Sequence, residues 1–285
     1  MEAFERYLAA YFAKLAARIG CADHRLVVEA MLYSTAGGGK RFRPSLVLAT
    51  TEALGKSVNA VMPFALAVEL VHTYSLIHDD LPCMDNDDVR RGRPTNHKQF
   101  GEATALLAGD ALLTESFALA AQACVEAPDR CVGLIQEMVR AIGAEGMVGG
   151  QTIDILLQKQ GTEEKNLDSI KRMHRLKTSE LIRFSVWGAA WISGCDEKSL
   201  ERLNMYGTQL GYAFQVADDL IDLQDISANG CGEAAVNSAW LTSRESATQA
   251  LRDCTDSAVS SLGFLGAAGV PLQNIAEDNA HRATR

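Results

Sequence analysis

What most limits the folds open to this chain is the spacing of its apolar residues. Through the segments 64–81, 103–125, 134–147, 167–191, 200–223 and 240–262 they recur three and four positions apart, the repeat that lines one face of an α-helix. No run alternates β-branched and polar residues as a half-buried strand would. Glycine and proline fall mostly between the segments, at Gly37-Gly38-Gly39, Gly55, Gly92-Arg93-Pro94, Pro128, Gly194 and Asn229-Gly230, where they stop helices rather than interrupt them. The pattern predicts an all-α protein of ten or more helices with short connections. No long linker, low-complexity tract or repeat is present, so one large helical bundle domain over residues 1–285 is the expected architecture.

Charge narrows the partners. The chain carries 27 Lys and Arg against 36 Asp and Glu, a formal net charge of −9, which disfavours nucleic acid and anionic membranes. An anion site must therefore be a local basic cluster. Seven cysteines are scattered without a CxxC pair, a pattern that suits free thiols in a reducing cytoplasm. Glu2 and Glu5 stand where a signal peptide would be positive, so the first segment reads as a helix of the fold. The most apolar stretch, 60–71, contains Pro63 and Glu69 and is shorter than the roughly 20 residues of a membrane span, so no span is expected.

Three motifs carry chemistry. In Gly37-Gly38-Gly39-Lys40-Arg41-Phe42-Arg43-Pro44 a flexible turn is followed by three cations within four residues. Glycines allow close backbone approach, and Lys and Arg supply charge-assisted bonds to phosphate oxygens. It is not a Walker loop, since no Ser or Thr follows the lysine. In the stretch from His78 to Pro94, five aspartates within ten residues (Asp79, Asp80, Asp85, Asp87, Asp88) lead directly into Arg90, Arg91 and Arg93. Asp79 continues an apolar helix and shares a face with His72 and Ser75. Oxygen-only ligands without a Cys/His set favour Mg²⁺ over zinc.

The third motif is Phe214-Gln215-Val216-Ala217-Asp218-Asp219-Leu220-Ile221-Asp222. Gln215, Asp218 and Asp222 fall on one helical stripe, and a buried stripe of that kind requires a metal. Its bland alternative is an exposed helical face. Two aspartate-rich helices and two basic clusters together are the inventory for a diphosphate bridged by Mg²⁺, with cations on its remaining oxygens.

The pieces GGKRFRP at 38–44, HTYSLIHDDLPCMDNDDVRRGRPTNH at 72–97, FGEATALLAGDALL at 100–113, GGQTID at 149–154, HRLKT at 174–178 and FQVADDLID at 214–222 resemble, in order, the trans-isoprenyl diphosphate synthases, most closely the bacterial farnesyl type. The resemblance covers about two thirds of the chain. It implies one all-α isoprenoid synthase domain around a deep central cavity, usually a homodimer. It implies that Asp79, Asp80, Asp85, Asp218, Asp219 and Asp222 hold Mg²⁺, three per site, bridging to an allylic diphosphate. Arg90, Lys177, Thr178 and Gln215 match positions that steady that diphosphate, and Lys40, Arg43, His72 and Arg91 match the pocket for isopentenyl diphosphate. Asp79, Asp80, Asp85, Lys177 and Asp218 are the expected catalytic set, and Gln151 and Asp154 are secondary, cavity-lining or packing, positions.

In such enzymes Tyr74 and Ser75, five and four residues before the first aspartate, would set product length. Five residues of helix span roughly 7.5 Å, about one isoprene unit, and a bulky Tyr74 with the Pro82-Cys83 insertion points to a C15 product. The chain departs from the resemblance after Asp225: the stretch 226–240 contains no lysine where family members carry a lysine-bearing loop. That departure keeps open a non-catalytic regulatory subunit of a heteromeric synthase, beside a geranylgeranyl-forming enzyme. A His-Asp phosphohydrolase would need histidines on its metal, and a terpene cyclase would leave the basic turn unexplained. Trp187, Trp191 and Trp240 read as packing, and Cys83 as a small apolar filler.

Overall fold

The computed structural model describes residues 1–19, 22–159, 167–229 and 243–283. The helices are α1 Glu2–Ile19, α2 Ala22–Thr35, α3 Phe42–Ala53, α4 Val58–Asp79, α5 Asn96–Phe100, α6 Glu102–Gln122, α7 Cys131–Ile142, α8 Met147–Lys159, α9 Leu167–His174, α10 Glu180–Ile192, α11 Glu197–Asn229, α12 Arg244–Ser261 and α13 Val270–Arg282. The fold is all-α, as the periodicity predicts.

Contacts group the described residues into two compact units, one of residues 1–48 and 58–135, the other of 49–57 and 136–285. In the first, α1 turns one face inward through Phe4, Leu8, Phe12 and Leu15, the i, i+4 stripe of an amphipathic helix. The centre of this unit is α4, whose residues from Val61 to Val71 are buried on every side. By length and apolarity α4 and α6 could each cross a membrane, and α4 is instead mostly buried inside the protein, the mark of a core helix. Glu69 survives in that apolar run because Arg41 reaches it at 2.6 Å.

In the second unit α11 is the spine, packed by α10, α12 and α13. Tyr206, fully buried on α11, donates to the carbonyl of Leu272 at 2.7 Å. A cluster of Glu137, Arg140, Glu180, Arg183 and Asn204, of which Glu180 and Arg183 are buried, ties α7, α10 and α11 together. Phe184, Trp187 and Trp191 form a stacked ladder along α10, the two indoles 5.2 Å apart.

Four local features differ from expectation. The segment 134–147 is not one continuous helix: α7 stops at Ile142, a turn holding Gly143 and Gly146 follows, and α8 starts at Met147. The segment 167–191 contains a π-helical turn at Arg175–Ser179. Residues 89–94 form a two-strand antiparallel hairpin, β1 Val89–Arg90 with β2 Arg93–Pro94. Its tip residues Arg91 and Gly92 both have positive φ, 54° and 74°, the twist such hairpins require; two-residue strands are too short for alternation to announce them. Cys83 is exposed, so it fills no core. Of the lysine-free stretch beginning at Ile226, residues 230–242, with Trp240, lie outside the described residues.

Candidate active site

Helix α4 delivers the first group of side chains. His72 and Ser75 lie along it, Asp79 is its last residue, and Asp80 follows. The Ser75 hydroxyl donates to the His72 carbonyl at 2.9 Å. The buried Tyr74 ring meets His78 edge-on at 5.8 Å, and burial, then the Asp79 charge, push its pKa up to about 12.

Beyond the helix the chain doubles back: the amide of Asp85 donates to the carbonyl of Asp79 at 2.8 Å, and Asn86 takes positive φ. This reversal returns Arg90 to the helix end, where it donates to Asp80 at 2.7 Å and to Asp87 at 3.3 Å. Asp80 is 3% exposed. Burial raises its pKa, opposed by the Arg90 bond and charge, so its ionised form depends on a cation at hand.

The hairpin also reaches the glycine turn. Arg91 donates to the carbonyl of Gly38, and a Cβ at Gly39 would lie 2.8 Å from the Arg91 guanidinium carbon, so glycine there admits the arginine. His72 has its pKa held well below the imidazole range by loss of water and by the charges of Arg43, Arg91, Arg90 and Arg41. Arg91 in turn is lowered by burial and by Arg41 and Arg90, with Glu69 opposing. Such crowding of guanidinium groups is costly without an anion and favourable with one. A cavity of about 40 Å³ opens among Thr73, Ile77, Asp80, Arg90, Arg91 and Arg93. Lys40 lies on the exposed turn and Arg43 is buried at the start of α3.

In the second unit, α8 and the π turn pack backbone to backbone. A Cβ at Gly150 would fall 2.2 Å from the Lys177 amide nitrogen. That approach sets Lys177 on Asp154 at 2.5 Å, with Thr178 half-buried beside it. Gln151 keeps both amide atoms buried without a partner among the described residues. His174 is 2% exposed and stands 3.8 Å from Asp219. Burial, then the Lys177 charge, lower its pKa to about 4 against the pull of Asp154, so it is neutral at neutral pH.

The second motif differs from its expected stripe. Gln215 donates to Asp219 at 3.2 Å, and it is Asp219 that is buried, while Asp218 is half-buried and Asp222 exposed. Pairing follows the i, i+4 hydrogen-bond reach from residue 215 to 219, with burial decided by the neighbouring helices. Asp218 is held by Arg282 of α13.

Among the described residues no three His, Cys, Asp or Glu side chains already stand together as a metal cluster. The donor set nevertheless suits Mg²⁺: every candidate is a carboxylate oxygen, and this ion takes one or two carboxylates with substrate phosphates rather than an all-protein cage. Asp80 and Asp218 are each paired with a protein cation, Arg90 and Arg282. Sequence reasoning missed Arg282, His174 beside Asp219, and the pairing of Arg41 with Glu69 and Glu5. Only the last left a signal, a lone acid inside an apolar run.

A polyprenyl synthetase family model matches residues 24–233. The chain is 48% identical over 198 residues to the farnesyl diphosphate synthase of Bacillus subtilis (strain 168), a match covering 69% of this chain and 66% of that protein. It is 46% identical over 198 residues to the large subunit 1 of the chloroplastic heterodimeric geranylgeranyl pyrophosphate synthase of Arabidopsis thaliana, covering 68% and 53% respectively. The chain thus matches just under two thirds of the length of the Bacillus relative. Among solved structures, an FPP/GFPP synthase from Zymomonas mobilis superposes with a TM-score of 0.86 at 36% identity, covering 98% of each chain.

Proposed function

Because the chain belongs to the polyprenyl synthetase family, we propose that it is a prenyltransferase that joins isopentenyl diphosphate head-to-tail to dimethylallyl or geranyl diphosphate, releasing diphosphate and forming farnesyl diphosphate. The observation that carries this reading is that adjacent arginines of one hairpin reach a carboxylate and a basic cluster: Arg90 donates to Asp80, and Arg91 joins Arg41, Arg43 and Arg90 around His72.

In this reading Lys40, Arg43, His72 and Arg91 bind the isopentenyl diphosphate. Neutral His72 can donate one hydrogen bond without adding charge to the arginine cluster. Arg90, Lys177, Thr178 and Gln215 hold the allylic diphosphate in the geometry of C–O cleavage. Asp79, Asp80 and Asp85, with Asp218, Asp219 and Asp222, would hold Mg²⁺, three ions per site. Bound there, Mg²⁺ supplies neutralisation of the charge that grows on the leaving diphosphate. The apolar helices exclude water from the allylic cation, the isopentenyl double bond attacks it, and the proton lost passes to the departing diphosphate.

Buried Tyr74, with Ser75, closes the space below the first motif and favours a C15 product. Relatives named geranylgeranyl pyrophosphate synthases at 44–46% identity support a second reading, a C20 product. We further propose that residues 1–285 act as one cytoplasmic isoprenyl diphosphate synthase domain and pair as a homodimer. Leu106 and Leu107, 47% and 58% exposed on α6, suit burial against a second copy.

The test incubates purified protein with isopentenyl diphosphate and dimethylallyl or geranyl diphosphate, with and without Mg²⁺, and weighs the product. A C15 diphosphate that vanishes with EDTA or Asp79→Ala supports the reading, and Tyr74→Ala should lengthen it by one isoprene unit. A C20 product from the unaltered chain favours the second reading. No product in any mixture overturns the enzyme and leaves a regulatory subunit.

A further inference from the structure

The last helix of the described chain ends on the second aspartate motif. Arg282, the final residue of α13, donates from Nη2 to Oδ1 of Asp218 and lies over the Phe214 ring, 4.7 Å from its centroid. The two charged side chains are 22% and 39% exposed. The contact is therefore neither a solvated surface pair nor a sealed one. Arg282 Nε is buried with no hydrogen-bond partner among the described residues. The guanidinium is thus set by Asp218 and by the aromatic shelf, not by a web of other bonds.

We propose that Arg282 is the resident counter-ion of Asp218, holding the first carboxylate of the second motif in the metal-free protein and leaving it when a divalent cation binds. The inference rests on reading Asp218 as a metal ligand. One carboxylate oxygen that accepts from a guanidinium and also ligates Mg²⁺ at about 2.1 Å would set two cations side by side. Mg²⁺ on that oxygen therefore competes with the guanidinium. Phe214 gives the released guanidinium a place to remain, since the stacking does not use Asp218. Arg282 is then a positioning residue that sets how readily the second motif takes its metal, and the metal-binding competent fraction is the fraction in which the pair is open.

The experiment uses the full chain and Mn²⁺ alone, read by electron paramagnetic resonance of the free ion, with no substrate present. Arg282→Met should bind Mn²⁺ about three- to fivefold more tightly than the unaltered chain, the scale expected of losing a partly exposed pair. Arg282→Lys, which keeps the charge and loses the planar fork, should fall between the two. Asp218→Asn should weaken binding. Melting in EDTA establishes that each variant is folded, and Arg282→Lys carries the test if Arg282→Met is not. Unchanged or weaker Mn²⁺ binding in the Arg282 variants, with Asp218→Asn still weakening it, overturns the counter-ion and leaves the metal reading intact. If Asp218→Asn binds Mn²⁺ like the unaltered chain, Asp218 is no ligand and both readings fall.

Discussion

Replacing Gly150 by alanine tests whether close backbone packing positions Lys177. A Cβ there would sit 2.2 Å from the Lys177 nitrogen, 2.6 Å from its Cα and 2.7 Å from the Leu176 carbonyl carbon. All three are backbone atoms of the π turn, so no flexible side chain can swing aside. α8 must shift by about an ångström, and overpacking of this kind costs about 3 kcal/mol. For a chain of this size that is a fall in melting temperature of roughly 6–9 °C. The shift also carries Lys177 away from Asp154, and a misplacement of that size should lower kcat on the order of 10–100-fold. Gly263→Ala supplies the contrast, because a Cβ there meets nothing within 4 Å and φ is not positive. The same chemical change should be neutral or raise stability by about 0.5 kcal/mol through the unfolded chain. Calorimetry on both variants decides: if Gly150→Ala melts with the parent, or Gly263→Ala falls as far, the packing argument is wrong.

Two further outcomes follow from buried charge. His174, lowered to about 4 in the folded chain, binds fewer protons folded than unfolded between that value and about 6.5. Its contribution is therefore complete above pH 6.5 and is lost as pH falls towards 4, on the order of 3 kcal/mol across the window. Denaturant melts of His174→Asn at stepped pH should show a flatter slope there; an unchanged slope refutes the assignment. Arg183 bonds Glu180 at 3.0 Å and Asn204 at 2.8 Å and also pairs with Glu137. Arg183→Met should cost about 1.5–3 kcal/mol by removing its charge-assisted bonds while Arg140 still pairs with both acids, and Glu137→Leu in the same background should recover part of it. Additive losses in that double-mutant cycle would show that the cluster does not act as a unit.

Much of this protein is legible in its sequence for a simple reason: helical periodicity and motif order are local properties. Apolar spacing of three and four determines which face of α1 or α11 is buried whatever lies opposite, and HDD, DDVRRG and FQVADD announce the family through neighbours along the chain. The helix boundaries were less legible, because glycines also sit inside helices here, as at Gly149, Gly150 and Gly211, so Gly143 and Gly146 did not announce a break, and the π turn at Arg175–Ser179 packs against α8. The misjudged stripe on α11 has the same origin. Spacing groups Gln215 with Asp218 and Asp222, yet burial chooses Asp219, which stands beside His174 from another helix.

Partners distant in sequence belong wholly to the tertiary structure. Arg282 and Asp218 are 64 residues apart, Arg41 and Glu69 are 28 apart, and Arg91 reaches back 53 residues to Gly38. No local pattern encodes such pairs, since an ion pair depends on where two helices end in space. The sequence by itself determined the all-α class and, through the order of its motifs, the family. Only the tertiary structure decided which cation rests on which carboxylate, because burial and charge neutralisation are properties of the packed chain.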